Sequence, residues 1–387
     1  MAGGPSPTTT EPSPDGLRQF RQELGAWLDE HAASLARRAP GASLSDEIVR
    51  SRANQRRLWD AGWLRRGWPT SVGGLGGPPL LRAAVAEAAA ERGLFYDTLF
   101  ALTEVLGPTV VAAAPELAAE VAQPFLRGAE GWCQGFSEPD AGSDLASLRC
   151  RAVDDGDQWI VTGQKVWTSY AQFASKMVLL ARTGPAESRH RGITAMLVDM
   201  DSPGVTVRPL AAMNGVDEFS ETFFDDVRVP KGRLIGEVNG GWSVAMSMLR
   251  SERGAIFWTL SAWLLGELRN LVGEADLGPA DDQALGRAFT SIAGLRARSW
   301  TTQHRTAAGT IEIPETSIDK ILMASAEQDL FDLVQASLGG VLEFAADDAA
   351  SAWRRAYLYS RAASIYGGTA EIQRNIVADQ LLGLRGA

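Results

Sequence analysis

Apolar positions recur at steps of three and four along the first third of the chain, as in Phe20, Leu24 and Leu28 and again in Leu58, Trp63 and Leu64. That spacing lines one face of an α-helix. The Ala- and Glu-rich run Leu80 to Arg92 also suits a helix, whereas Trp68-Pro69 and Gly73-Gly74-Leu75-Gly76-Gly77-Pro78-Pro79 must be loop. From Trp132 to about Val238 the period changes, and short β-branched runs alternate with turn signals. Strands are expected at Trp159-Ile160-Val161-Thr162 after the turn Asp154-Asp155-Gly156-Asp157, and at Met177-Val178-Leu179-Leu180-Ala181 before Thr183-Gly184-Pro185. Ile193 to Met200, Val205 to Leu210 and Thr222 to Val229 complete the set, with Asp225-Asp226 read as a turn. After Asn239-Gly240-Gly241 the helical period returns and holds to the end, broken at Gly339-Gly340 and Gly367-Gly368. The order helical, β, helical predicts an α+β chain: a helical domain over residues 15–130, a compact sandwich or barrel-like β-domain over 131–240, and a second helical domain over 241–387.

The length of 387 residues calls for several coupled layers rather than one core. Pro, Ser and Thr crowd residues 1–14, which read as a disordered tail. No run of eighteen apolar residues occurs and the N-terminus lacks a signal pattern, so no membrane is expected and a cytoplasmic protein is the default. The formal charge of −10 argues against nucleic acid as a partner. Cys133 and Cys150 lie without His at metal spacing, so they are expected as buried thiols with no metal. His31, His190 and His304 are scattered and are not expected to do chemistry.

Two stretches carry chemical information. Gly135-Phe136-Ser137-Glu138-Pro139-Asp140-Ala141-Gly142-Ser143-Asp144 is a small, hydroxyl-rich loop that lets backbone N–H groups approach a flat or anionic ligand. On the helix expected from about Trp242, Ala245, Leu249, Glu252 and Ile256 fall at spacings of four, three and four, which sets Glu252 on the apolar stripe. A carboxylate there is either paired, with Arg253 the nearest candidate, or desolvated, and desolvation raises its pKa toward the range of a general base.

The first stretch, taken with Trp132-Cys133-Gln134, Gly163-Gln164-Lys165-Val166-Trp167-Thr168-Ser169, Tyr366-Gly367-Gly368-Thr369 and Glu371-Ile372-Gln373-Arg374-Asn375, resembles the acyl-CoA dehydrogenase family of flavoenzymes from about Leu17 to Arg385. The resemblance implies an acyl-CoA dehydrogenase-like fold, with an N-terminal helical domain, a central β-domain, a C-terminal four-helix bundle and FAD at their junction. It also implies dehydrogenation of an acyl-CoA to a trans-2-enoyl-CoA, with electron-transferring flavoprotein as oxidant. Many members carry the base as Tyr-Glu-Gly-Thr; here that place holds Gly367. A second group carries the glutamate on the bundle helix before an arginine, as in Ser251-Glu252-Arg253, which implies Glu252 as base and Arg253 as supporting cation. By the same likeness Phe136, Ser137, Trp167 and Ser169 face the flavin ring, and Ser143 lies between flavin and CoA phosphates. Gly367 and Gly368 border the substrate, while Thr369 and Glu371 lie on the ribityl or adenosine side. Gln335 and Gly339 would meet the adenosine, and Arg287 the FAD pyrophosphate, across a subunit interface, which implies a homo-oligomer, dimer or tetramer. Two departures stand out: Arg287-Ala288-Phe289-Thr290 lacks the family's frequent Phe-Gly, and Gly339-Gly340 lacks a third glycine. Such losses resemble bacterial dehydrogenases of steroid side chains and long or branched acyl groups, some of which are α2β2 heterotetramers. A non-catalytic subunit of such a heteromer, a flavin oxidase or monooxygenase of the same fold, and a carrier-protein-bound acyl dehydrogenase remain rival readings.

Overall fold

The computed structural model describes residues 14–35, 42–94, 97–275, 277–279, 281–345 and 347–384. The tail expected over 1–14 lies outside the described residues except for Pro14, which already opens a helix. The N-terminal part comprises α1 (Pro14–Glu30), α2 (Leu44–Asp60), α3 (Leu80–Ala90), α4 (Asp97–Ala113) and α5 (Pro115–Leu126). Phe20, Leu24 and Leu28 share one core with Leu58, Leu64 and Trp68, so the three-and-four spacing marks the buried faces. A capping box starts α2, in which the Ser43 side chain accepts the Asp46 N–H and the Asp46 carboxylate accepts the Ser43 N–H.

The middle of the chain forms one hydrogen-bonded sheet. Its strands are β1 (Trp132–Gly135), β2 (Arg151–Asp155), β3 (Gln158–Ser169), β4 (Lys176–Arg182), β5 (Ile193–Asp199), β6 (Val205–Leu210), β7 (Phe219–Pro230) and β8 (Leu234–Ile235). They run in the order β6-β7-β3-β2-β4-β5-β8, with β1 parallel to β4. Met177, Leu179, Met196 and Val198 from β4 and β5 share a core with Trp159, Val161, Val227 and Val229 from β3 and β7, so the sheet folds over on itself. The opposite faces of β4 and β5, through Val178, Leu180, Ala195 and Leu197, pack into the helical core. Burial on both faces explains why these strands read as continuous apolar runs rather than as alternation. Asp225-Asp226 is not the turn expected. It sits within β7, where Asp226 has φ 49°, accepts a 2.7 Å bond from the Thr162 hydroxyl and lies opposite a register shift between Val161 and Gly163, a β-bulge.

The C-terminal part begins with α6 (Gly241–Ser251), passes without a break through a π-helical turn (Glu252–Ile256) into α7 (Phe257–Glu274), and continues through α8 (Asp282–Ala307), α9 (Thr316–Phe344), α10 (Asp348–Ser360) and α11 (Ala370–Ile376). Helices α7 to α10 bury Leu264, Leu268, Ile292, Leu295, Leu330, Phe331 and Trp353 in a bundle core. Helices α8 and α9 run antiparallel, since Ser291 meets Asp329 at 2.6 Å and Thr302 meets Asp319 at 2.8 Å. The break expected at Gly339-Gly340 is a kink, with Gly339 at φ 42°, ψ −119° and the helix resuming to Phe344. No described helix is long and apolar enough to cross a membrane.

Candidate active site

Glu252 and Arg253 open the π turn, so the uninterrupted helical stripe expected through Ala245, Leu249, Glu252 and Ile256 is not what forms. A π turn inserts a surplus residue and re-aims the side chains around it. The Glu252 carboxylate reaches the Tyr366-Gly367-Gly368-Thr369 loop: a Cβ built on Gly367 would stand 2.9 Å from Glu252 Oε1 and 3.3 Å from Lys320 Cε. Gly367 has φ 62° and Gly368 φ 95°, and a Cβ on Gly368 would run into the Gln373 amide. Both positions therefore demand glycine for backbone and for space. Glu252 is half-buried, so solvent reaches part of it, yet the surrounding protein raises its pKa by desolvation, with Arg253 and Lys320 pulling the other way. Arg253 is buried and donates through Nη1 to Thr316 Oγ1 at 3.4 Å, while its Nε has no hydrogen-bond partner among the described residues.

The β-domain edge meets this loop through a file of rings. Trp167, Phe219, Tyr359 and Tyr366 follow one another at centroid distances of 6.0, 6.5 and 6.0 Å. Trp167 is 63% exposed and held outward by a left-handed backbone, φ 59°, at a register shift between β3 and β7. Phe136 is buried and Ser137 half-buried just after β1, and the Ser137 carbonyl accepts the Val166 N–H at 2.9 Å. Ser169, paired with Phe219, ends β3. Ser143 is exposed in the loop beyond. Thr369 caps α11 by accepting the Ile372 N–H at 3.3 Å, and Glu371 is exposed in the first turn. The three residues expected to act across a subunit interface lie away from this site. Arg287 and Gln335 are exposed near the start of α8 and the end of α9, and Gly339 lies at the kink, all toward the bundle end opposite Lys320.

Family models match in two blocks: acyl-CoA dehydrogenase, middle domain, over residues 133–227 and acyl-CoA dehydrogenase, C-terminal domain, over 239–382. The chain belongs to the acyl-CoA dehydrogenase family. Acyl-CoA dehydrogenase IpdE1 of Mycobacterium tuberculosis is 37% identical, over 95% of this chain and 98% of that protein. The solved Tcur3481-Tcur3483 steroid acyl-CoA dehydrogenase superposes with a TM-score of 0.83 at 26% identity, covering 97% of this chain and 99% of that one. The ChsE4-ChsE5 complex of Mycobacterium tuberculosis superposes at 0.76 and 26% identity over 100% of both chains. As an acyl-CoA dehydrogenase family member the protein is an oxidoreductase, and its fold and bacterial branch are those the motifs indicated. The acyl-CoA dehydrogenase family is generally FAD-dependent, and the β-domain edge suits a flat ring: an outward indole, an apolar neighbour in Phe136 and the short hydroxyls of Ser137 and Ser169.

Sequence reasoning missed the charges beneath the acyl-CoA dehydrogenase loop. Lys320 and Glu327 on α9 are each 2% exposed, and Lys320 donates to the Ala363 carbonyl. Their spacing of seven on an apolar helix face is the signal that could have found them, since such residues are rarely buried unless paired. The two cysteines are buried as expected, with the Cys150 thiol pushed up to about 11, and no group that could hold a metal occurs among the described residues.

Proposed function

We propose that the protein catalyses FAD-dependent α,β-dehydrogenation of an acyl-CoA thioester to the trans-2-enoyl-CoA, with Glu252 as the base that removes the α-proton. The reading is carried by one observation: Glu252 Oε1 comes within 2.9 Å of the place where a side chain on Gly367 would begin. A carboxylate from the π turn thus stands at the loop that in many relatives supplies the base itself. Phe136, Ser137, Ser143, Trp167, Ser169, Thr369 and Glu371 would hold the FAD, which when bound supplies the hydride acceptor. Desolvation holds the Glu252 carboxyl above its usual range, toward the pH at which a base works best. The unpartnered Nε of Arg253 is a spare donor beside it for a substrate oxygen. The likeness to the solved steroid acyl-CoA dehydrogenase supports a polycyclic, long or branched acyl group. Electron-transferring flavoprotein is the proposed oxidant.

The test is Glu252→Gln, which keeps shape but cannot accept a proton. Bound flavin should be retained, while its anaerobic bleaching by a panel of acyl-CoAs that includes a steroid side-chain thioester slows by about 100- to 10,000-fold. Bleaching at the unmutated rate overturns the assignment. A second reading, a subunit that needs a different chain to complete its flavin site, is favoured by the exposure of Arg287 and Phe289 at the far bundle end. The flavin content of the chain purified alone separates the two.

A further inference from the structure

Lys320 is buried on α9 with its ammonium 4.4 Å from the centre of the Tyr366 ring and donating to the Ala363 carbonyl. The Tyr366 hydroxyl donates to Glu327 Oε2 at 3.1 Å, and Glu327 lies two helical turns beyond Lys320 on the same helix face. The Lys320 stem approaches the same point beside Gly367 that the Glu252 carboxylate approaches, 3.3 and 2.9 Å from the place a Cβ there would take. One glycine is thus flanked by an anion from the π turn and a cation from α9, and the cation is braced from behind by a tyrosine and a second carboxylate. Desolvating an ammonium is unfavourable by several kcal/mol unless partners offset it.

We propose that Lys320 is a positioning residue for the base: its charge keeps Glu252 ionised and aimed past Gly367, and Tyr366 and Glu327 hold Lys320 in place. The inference rests on Glu252 being the base. The titratable groups around the pair are Arg253 from the π turn, Asp319 and Glu327 from α9, Tyr359 and Arg361 from the end of α10, and Tyr366 from the loop. Burial pushes Glu252 up while Arg253 and Lys320 oppose it. Arg253 also comes to the loop, its Nη2 3.8 Å from where a Cβ on Gly368 would stand, and Lys320 is the second cation, the one beside Gly367. Burial also pushes Lys320 down to about 8, so its charge is present below that pH and fades above it. Without the cation, desolvation is less opposed, and Glu252 keeps its proton to higher pH.

The test compares Lys320→Met with Lys320→Arg in the flavin-loaded protein. In Lys320→Met the acid limb of the anaerobic bleaching rate should move up by about one pH unit or more, and Lys320→Arg should bring it most of the way back. Infrared difference spectra of the substrate-free protein between acid and alkaline pH, with the Glu252 carboxyl band identified by its loss in Glu252→Gln, should show the same upward move. A Lys320→Met protein that melts at lower temperature but keeps both limb and band in place overturns the proposal. Should that variant not fold, Glu327→Gln is nearly isosteric and removes the anion that supports the ammonium. It should bring the alkaline fall in rate to lower pH, and an unmoved alkaline limb overturns the proposal. Failure of the underlying reading looks different, because then Glu252→Gln itself still bleaches its flavin.

Discussion

Glu138, in the loop after β1, accepts the Arg149 N–H at 2.6 Å, the Cys150 N–H at 2.9 Å and the Lys165 ammonium at 2.7 Å. Lys165 also donates to the Phe136 carbonyl at 3.0 Å, so one buried ion pair fastens the segment carrying Phe136 and Ser137 to β3. Removing one partner of such a pair strands the other charge in the interior. Lys165→Met should therefore lower unfolding stability by about 3–5 kcal/mol, and adding Glu138→Gln should recover part of the loss. Urea unfolding of the four proteins measures the coupling, and a double variant whose loss equals the two single losses added together argues against it. At this scale the sequence was legible in part. The Ser-Glu-Pro loop and the glycine in place of the loop glutamate could be read from local motifs. The partners could not, since Glu138 meets a lysine 27 residues away and Lys320 a carbonyl 43 residues away.

Helices and strands show the same division between local and distant causes. The strands at 176–182, 193–199 and 205–210 follow from β-branched runs bounded by turn residues, and α1 from its apolar stripe. The π turn was invisible, because Ala245, Leu249, Glu252 and Ile256 fit an ordinary helical period and only the folded backbone shows otherwise. Helix α9 carries Lys320 and Glu327 into the core, and this gives it a pH signature. Burial pushes Glu327 up to about 7 despite the bond from Tyr366 and the charges of Lys320 and Arg361. A carboxyl whose folded pKa is raised binds its proton more tightly in the native state, so its contribution to stability is lost as pH rises from the unfolded value through about 7. Lys320, lowered to about 8, contributes in the opposite sense above that pH. Glu327→Gln should accordingly be near-neutral at pH about 5 and more stable than the parent by on the order of 1–3 kcal/mol at pH about 8. Equal differences at both pH values, measured by denaturant unfolding, would falsify this account of α9.

At the scale of the whole molecule, the bundle helices expose two phenylalanines away from Glu252. Phe344 is 84% and Phe289 56% exposed there, beside exposed Arg287 and Gln335 and the Gly339 kink. An exposed large apolar side chain on a bundle helix can serve an interface, and acyl-CoA dehydrogenase relatives do assemble, as the ChsE4-ChsE5 complex shows. Phe289→Glu with Phe344→Glu should yield a species of one chain that keeps its helical circular dichroism but sheds flavin on gel filtration. A parent chain that sediments as a monomer with a full flavin complement would sink the idea of a shared site. Farther along the bundle, the π turn has its own consequence for how the parts fit. Upstream of it, α6 packs Val244, Ala245 and Met248 into the core shared with the β-domain; downstream, α7 packs Phe257, Leu264 and Leu268 into the bundle. Each residue advances a helix by about 100°, so one surplus residue acts as a gear between two modules whose buried faces need not lie in phase. A carboxylate seated on that gear is tied to neither face, which leaves its direction free to be set by the glycine loop and by whatever lies against it.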